Sequence, residues 1–392
     1  MPSPNVALVT GSATLSVNAA VQRRRGQGAA VLDLGIGEPM LDSDPLLVAA
    51  AVAAVREGRT RYTAVEGIPA LRAAIAEWTS RADGCEVSPE ETIVTVGSKQ
   101  ALFDACFVLF GPGDEVLVPQ PAWPSYAEMI RLARATPVPV LGGAERDFKP
   151  SADELEARAT SRTRGIILNS PCNPTGAVYT AAELRALLDL AARREWWVIA
   201  DEIYRHVVYD ARPAASVLQE AADRTRVVVV GGVAKALVMT GWRLGWAVAP
   251  PAVVRAMSAL QSHTTSNAPT VAQHAALAAF AEPETFGQLA ARTVDLLRPR
   301  RDAALRALTA VGARFVDPRG AFYLWVACGG DDAAFASELL DKRGVAVVPG
   351  YAFGVPGWVR ASYAGAEADV GEGFARVAQA LVERRQSAAA PA

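Results

Sequence analysis

The sequence predicts an α/β fold: a large domain with a mainly parallel central sheet sandwiched by helices, and a smaller α/β domain after it. Three observations lead there. Between about residues 92 and 248, short apolar, β-branched runs alternate with longer segments of helical period. Parallel strands joined by helical crossovers leave that pattern. From residue 286 the pattern changes to one long helical stretch followed by shorter strands. At 392 residues the chain is also too long for a single small core.

Taken in order, strands are expected at 92–96, 116–118, 165–168, 197–200, 227–230 and 244–248. Helical patterns at 101–109, 181–194 and 214–222 lie between them. The alanine-rich runs 49–55 and 271–281 read as helices packed inside the protein. The last part reads as a helix over 286–311, strands at 321–326, 345–348 and 359–362, and a helix over 366–383. Residues 385–392 are low in complexity and are expected to fray. The expected division is 1–40 joined to the small domain, 41–285 as the large domain and 286–392 as the small one. No internal repeat is visible.

Composition narrows the function classes. Hydrophobic residues make up 51% and charged residues 20%, a globular rather than a disordered profile. A formal charge of -2 gives no reason to expect nucleic acid or an anionic membrane as partner. Cys85, Cys106, Cys172 and Cys328 lie far apart with no CxxC pair, which fits free thiols in a reducing cytoplasm. His206, His263 and His274 have no metal-ligand spacing, so no metal site is expected. The N-terminus lacks a basic stretch followed by an apolar one, so no secretory signal is expected. No uncharged apolar segment reaches the roughly 18 residues that span a bilayer.

In open parallel sheets, ligands sit beyond the carboxyl ends of the strands, so the informative residues should follow those strands. Gly97-Ser98-Lys99 follows the first and opens a helix, where free N–H groups and the helix dipole suit a phosphate. A plain strand-to-helix turn with a capping serine reads equally well there, and the Walker spacing is missing. Asn169-Ser170-Pro171-Cys172-Asn173-Pro174-Thr175-Gly176 follows the third strand. Its prolines would hold Asn173 rigidly and allow cis bonds, or simply turn the chain into the next helix at Thr180. Asp201 ends the 197–200 run, where a carboxylate needs a cationic partner unless it is a helix cap. Lys235 is the only lysine between Lys149 and Lys342, and its neighbours are small or apolar. A desolvated lysine becomes nucleophilic toward an aldehyde; the alternative is a solvated surface charge. Arg243 lies a short loop further on and could hold a phosphate bidentately.

The order Asn173-Pro174-Thr175-Gly176, then Asp201-Glu202-Ile203-Tyr204, then Lys235 ahead of Met239-Thr240-Gly241-Trp242-Arg243-Leu244-Gly245 is more specific than any of its parts. With Ser12-Ala13-Thr14, Gly35-Ile36-Gly37-Glu38-Pro39, Arg61-Tyr62-Thr63, the Pro121–Tyr126 segment and Val359–Tyr363, it resembles the fold-type-I aminotransferases, nearest the bacterial aspartate-aminotransferase-like branch.

That resemblance implies a pyridoxal 5′-phosphate (PLP) enzyme with substrates among amino acids and 2-oxo acids. Lys235 would hold the cofactor as a Schiff base and shuttle the proton at the substrate Cα. Asp201 would keep the pyridine nitrogen protonated, Tyr204 and Asn173 would bond the phenolic oxygen, and Trp123 would stack on the ring or else only pack in the core. Gly97, Ser98, Lys99 and Arg243 would surround the phosphate, with Tyr62 arriving from the partner of a homodimer. Arg360 would clamp the substrate carboxylate with Asn173 and the Gly37 backbone.

Two departures stand out. Gly232 and Ala234 replace the serines that many relatives carry before the lysine. Thr10 stands where acid-using members of the branch carry a cation, and Glu66 could add a negative charge. A neutral or cationic donor is therefore expected. The competing readings are elimination or oxygen-dependent oxidation on the same cofactor, a nicotinamide dehydrogenase and a PLP-binding regulator. The dehydrogenase lacks the third glycine of its motif, and the regulator has no spare length for a DNA-binding domain.

Overall fold

The computed structural model describes residues 9–11, 13–210 and 213–389. Ser12 of the N-terminal motif lies outside them. A seven-stranded sheet forms the centre. Its strands, in spatial order, are Thr92–Thr95, Gly245–Val248, Val227–Gly232, Trp197–Asp201, Thr163–Asn169, Glu115–Gln120 and Thr136–Leu141. Neighbours are parallel from Val227–Gly232 through to Thr136–Leu141. Gly245–Val248 runs antiparallel to both of its neighbours. Only twelve residues separate it from Gly232, too few for the usual crossover helix, so the chain turns straight back.

The sixth expected helix-and-strand unit therefore gives a reversed strand. One strand of this sheet went unread: Thr136–Leu141 carries Pro137 and Pro139, and it tolerates them because it is the sheet's edge. The expected 214–222 helix shrinks to Val217–Glu220, capped by the Ser216 hydroxyl. The central strands are buried along their length, as a sheet covered on both faces requires.

A second, antiparallel sheet of four strands holds Phe315–Val316, Tyr323–Ala327, Trp358–Ser362 and Val348–Pro349. The strand expected at 345–348 is split, because Val345–Ala346 pairs instead with Leu32–Asp33 of the N-terminal segment. Thr285–Ala310 and Glu367–Ala389 pack together, and the latter covers the Leu32–Asp33 and Val345–Ala346 pair. The last helix runs past the point where fraying was expected.

The alanine-rich runs also divide. In Thr270–Leu277 and the turn after it, Ala272, Ala275, Ala276 and Ala279 are buried as expected. Helix Pro45–Arg56 is not packed all round: Leu47, Ala51 and Ala54 are inside, but Leu46, Val48, Val52 and Val55 face outward. Among the described residues no helix is long and apolar enough to cross a membrane, and no cluster has the makings of a metal site.

Candidate active site

All the sequence-marked residues after the strands reach one edge of the central sheet. Asn169, Asp201 and Gly232 end three parallel strands there. The Gly97 turn and the Arg243 loop meet at the same edge, because Gly245 is paired with both Thr95 and Gly232. Arg360 comes from the four-stranded sheet and Gly35–Glu38 from the N-terminal segment. Between them lies a cleft of about 600 Å³.

Lys235 donates to the Gly37 carbonyl at 2.7 Å. Burial lowers its pKa to about 8, with Glu38 opposing and Arg360 and Arg243 assisting. A substantial fraction of the amine is thus neutral near physiological pH. Asp201 is buried, and its pKa is raised by that burial to about 6. The Tyr126 hydroxyl donates to its Oδ2 at 2.7 Å and the Ile203 N–H to its Oδ1 at 3.1 Å. These bonds fix the carboxylate's direction. Tyr126 escaped the sequence reading as a site residue, although it sits in the Pro121–Tyr126 segment quoted for the resemblance.

At the other end, Arg360 is 2% exposed, yet no carboxylate pairs with it among the described residues. Nη1 donates to Asn173 Oδ1 at 3.0 Å and Nη2 to the Gly35 carbonyl at 2.8 Å. Its Nε has no partner among the described residues, and the guanidinium lies 4.3 Å over the Tyr323 ring. The Gly37 carbonyl, two residues on, accepts from Lys235. Asn173 is held by its own N–H on Asn169 Oδ1 at 2.8 Å. Tyr204 shares a 2.9 Å hydroxyl contact with Tyr323. Asn169 and Tyr323 were not singled out; only their positions in space, not their spacing in sequence, mark them.

The turn at Gly97 is a cradle that needs glycine. Gly97 has φ +75°, and a Cβ there would fall 2.8 Å from Arg243 Nη2. A Cβ on Gly245 would meet the Ser98 backbone nitrogen at 2.3 Å, and one on Gly232 the Ser98 Oγ at 2.5 Å. Gly232, which looked like a lost hydroxyl, is the space that lets Ser98 donate to the Gly231 carbonyl at 2.8 Å. The cradle thus combines a helix N-terminus with a guanidinium, which suits a phosphate. Lys99 lies beside it with its ammonium 4.8 Å over Trp123; burial lowers its pKa, and Arg243 adds to the shift. Trp123 meets Tyr126 edge-on at 5.4 Å.

Three expected residues lie elsewhere. Tyr62 is 90% exposed and does not line the cleft of its own chain. Thr10 bonds Glu128 outside the cleft, with its hydroxyl at 3.0 Å. Glu66 accepts from Ser258, and the chain's fold turns it away from the cleft. Its expected negative charge near the pocket is therefore corrected. Along the cleft wall the first helix, Ala13–Gly26, contributes Thr14, which sits in a motif quoted for the resemblance, and Asn18, Gln22 and Arg25, which the sequence did not flag.

Comparison with known proteins agrees with this geometry. Residues 29–377 match the model of the family described as aminotransferase class I and II. The aspartate/prephenate aminotransferase of Cereibacter sphaeroides is 41% identical, over 96% of this chain and 97% of that one. The protein of that name from Thermus thermophilus is also 41% identical, over 97% and 98%. The structure of the aspartate aminotransferase from Thermus thermophilus with maleate superposes with a TM-score of 0.93, at 40% identity, covering 97% of this chain and 99% of that one. The chain belongs to the class I and II aminotransferases: it is a fold-type-I enzyme with pyridoxal 5′-phosphate as its cofactor.

Proposed function

We propose that this aminotransferase takes its amino group from a dicarboxylic amino acid, works through two half-reactions on one cofactor, and acts as a homodimer. The observation that carries the reading is Arg360, a buried cation with no carboxylate paired to it among the described residues, facing the same cleft as the more exposed ammonium of Lys99. A substrate with two carboxylates would supply what both lack. The expectation of a neutral or cationic donor rested on Thr10 and finds no support. Thr10 lies outside the cleft, whereas Lys99 and Arg25 line it. Relatives named for aspartate and prephenate, and a structural neighbour holding maleate, favour the acidic class.

PLP supplies, when bound, a protonated ring that withdraws electrons from the substrate Cα. The residues present fit it. Gly97, Ser98 and Arg243 would hold its phosphate, since the cradle is shaped for an anion and a side chain at Gly97 would fill it. Lys99 borders that cradle. Asp201 would face the pyridine nitrogen, and Trp123 the ring. Tyr204 and Asn173 would reach the phenolic oxygen. Arg360 would orient the α-carboxylate, and Lys235, neutral above about pH 8, would move the proton at Cα. Tyr62 would serve the partner's phosphate site, which accounts for its exposure. The four-stranded sheet with the last helices, and the first 40 residues, would form the smaller domain.

An absorption titration of the PLP-loaded protein tests the donor. Aspartate or glutamate should bleach the band near roughly 410–430 nm with the highest kcat/KM. A neutral or cationic amino acid outperforming both would overturn the acidic donor. Release of ammonia or peroxide in place of a new amino acid would overturn transamination as the main outcome.

A further inference from the structure

Tyr323 opens the strand Tyr323–Ala327 and stands two residues before Trp325, which is paired with Arg360 in the neighbouring strand. That diagonal brings its ring against the Arg360 guanidinium, 4.3 Å from the ring centroid. The ring meets Tyr204 edge-on at 5.9 Å, and the two hydroxyls are 2.9 Å apart. Tyr323 is 1% exposed, Tyr204 4% and Arg360 2%, and all three line the cleft. One buried tyrosine thus touches both the residue placed at the substrate carboxylate and the residue placed at the cofactor's phenolic oxygen.

Each hydroxyl has a single hydrogen, and burial keeps both phenols protonated. Either could donate across their contact. Tyr204 can give its hydrogen to the cofactor and keep that contact only if it accepts from Tyr323. The charges acting on the pair are Arg360, Asp201 and Glu38, of which Arg360 alone eases proton release. It lies against the Tyr323 ring and so strengthens that hydroxyl as a donor. Hydrogen bonds in a chain polarise one another, so the effect is passed on through Tyr204.

We infer that Tyr323 is a positioning residue: its hydroxyl donates to Tyr204, aims the Tyr204 hydrogen at the phenolic oxygen, and carries the charge state of Arg360 to the cofactor. A carboxylate bound at Arg360 cancels the cation, weakens Tyr323 as a donor and with it the Tyr204 bond. A second line runs from Arg360 through Asn173, so Tyr323 carries part of the coupling. The inference rests on the reading that Tyr204 serves the phenolic oxygen.

Absorption of the PLP-loaded protein, titrated across pH with and without maleate, tests both. A hydrogen bond donated to the phenolic oxygen favours the deprotonated cofactor and lowers the midpoint. Tyr323→Phe keeps the ring beside Arg360 and removes only the hydroxyl. Its midpoint should lie roughly 0.3–1 unit above the native one, the size of a neutral hydrogen bond passed on in part. Maleate should raise the native midpoint, and that of the variant less. Tyr204→Phe should raise it further, and adding Tyr323→Phe to it should change nothing. Fluorotyrosine at position 323, a stronger donor, should lower the midpoint, and it covers poor folding of Tyr323→Phe. If Tyr204→Phe raises the midpoint while Tyr323→Phe or fluorotyrosine leaves it at the native value, the inference is overturned and the reading of Tyr204 stands. If Tyr204→Phe does not move it, both fall. A maleate rise of native size in Tyr323→Phe overturns the link to Arg360.

Discussion

Asp201 and Glu202 are consecutive carboxylates at the end of one strand, and they serve two differently built clusters. Asp201 faces the cleft, where Arg25, Lys99, Lys235, Arg243 and Arg360 outnumber the acids Asp33, Glu38 and Asp201. Glu202 faces the opposite way, into a closed cluster in which two carboxylates gather around one guanidinium. There Arg205 pairs with Asp83, approaches Glu202 at 3.9 Å and donates to the Ala214 carbonyl at 3.1 Å. The Val217 N–H donates to Glu202 at 2.7 Å. Arg205 and Arg360 are comparably buried, at 7% and 2%. The difference is what they meet: one has its counter-ion in the fold, the other only neutral acceptors. Burial of charge alone thus does not mark a working site; a buried charge that faces a cleft without its counter-ion does, because a ligand can bring the missing charge there.

This contrast predicts opposite failures. The largest concerns Lys235→Ala. Loss of the proton transfer alone should lower kcat by about 10²–10⁴-fold. Its melting temperature should equal or exceed the native value, since a desolvated amine is removed. Turnover near the native rate would end the assignment of Lys235.

The paired arginines give the next effect. Arg205→Met leaves Asp83 and Glu202 buried without their cation and should cost about 3–5 kcal/mol of stability. Its folded fraction should keep near-native kcat, read by chemical unfolding beside active-site-normalised turnover. Arg360→Met should do the reverse, losing roughly 10–150-fold in kcat/KM from charge-assisted bonds worth about 1.5–3 kcal/mol, with no loss of stability. If both variants unfold alike, the distinction between the clusters is wrong.

The sequence made one cluster visible and not the other, for a physical reason. Lys235, Asp201 and Asn173 follow the ends of parallel strands, so the topology of the sheet gathers them without knowledge of any contact, while Gly97 and Arg243 flank the antiparallel pair beside them. Arg360 had no such rule and came through the family likeness. The closed cluster joins Asp83, near the end of one helix, to Glu202 and Arg205 more than a hundred residues later. Nothing in the spacing foretells that pair. Thr10 misled for the same reason: its place relative to Ser12 said nothing about the bond to Glu128 that draws it out of the cleft. Gly232 read as a missing hydroxyl because the space it leaves is visible only in three dimensions.

His206 sharpens the contrast through pH. It lies in the closed cluster between Trp78 and Phe286, with ring centroids at 5.2 and 5.1 Å, and burial lowers its pKa to about 3. In the unfolded chain the imidazole would titrate near about 6.5. Between these values the unfolded chain binds the extra proton, so stability falls as pH drops from about 6.5 toward 3 and is level above that window. His206→Phe should flatten this part of the profile, as followed by unfolding midpoints from pH 7 to pH 4. An unchanged slope would place the acid sensitivity in the carboxylates.

The smallest effect tests the cradle. Ser98→Ala removes the 2.8 Å bond to the Gly231 carbonyl, worth about 0.5–1.5 kcal/mol. That corresponds to a few-fold to tenfold weaker retention of PLP, with kcat of the loaded enzyme unchanged. Gly232→Ala should be worse than Ser98→Ala, because its Cβ would collide with the Ser98 hydroxyl at 2.5 Å and push the helix N-terminus away from Arg243. The double variant then separates the two causes. With the hydroxyl gone, the added methyl has room, so the double variant should hold PLP better than Gly232→Ala alone. If it is no better, the damage lies in the strand's backbone, and the cradle does not depend on the fit between Gly232 and Ser98.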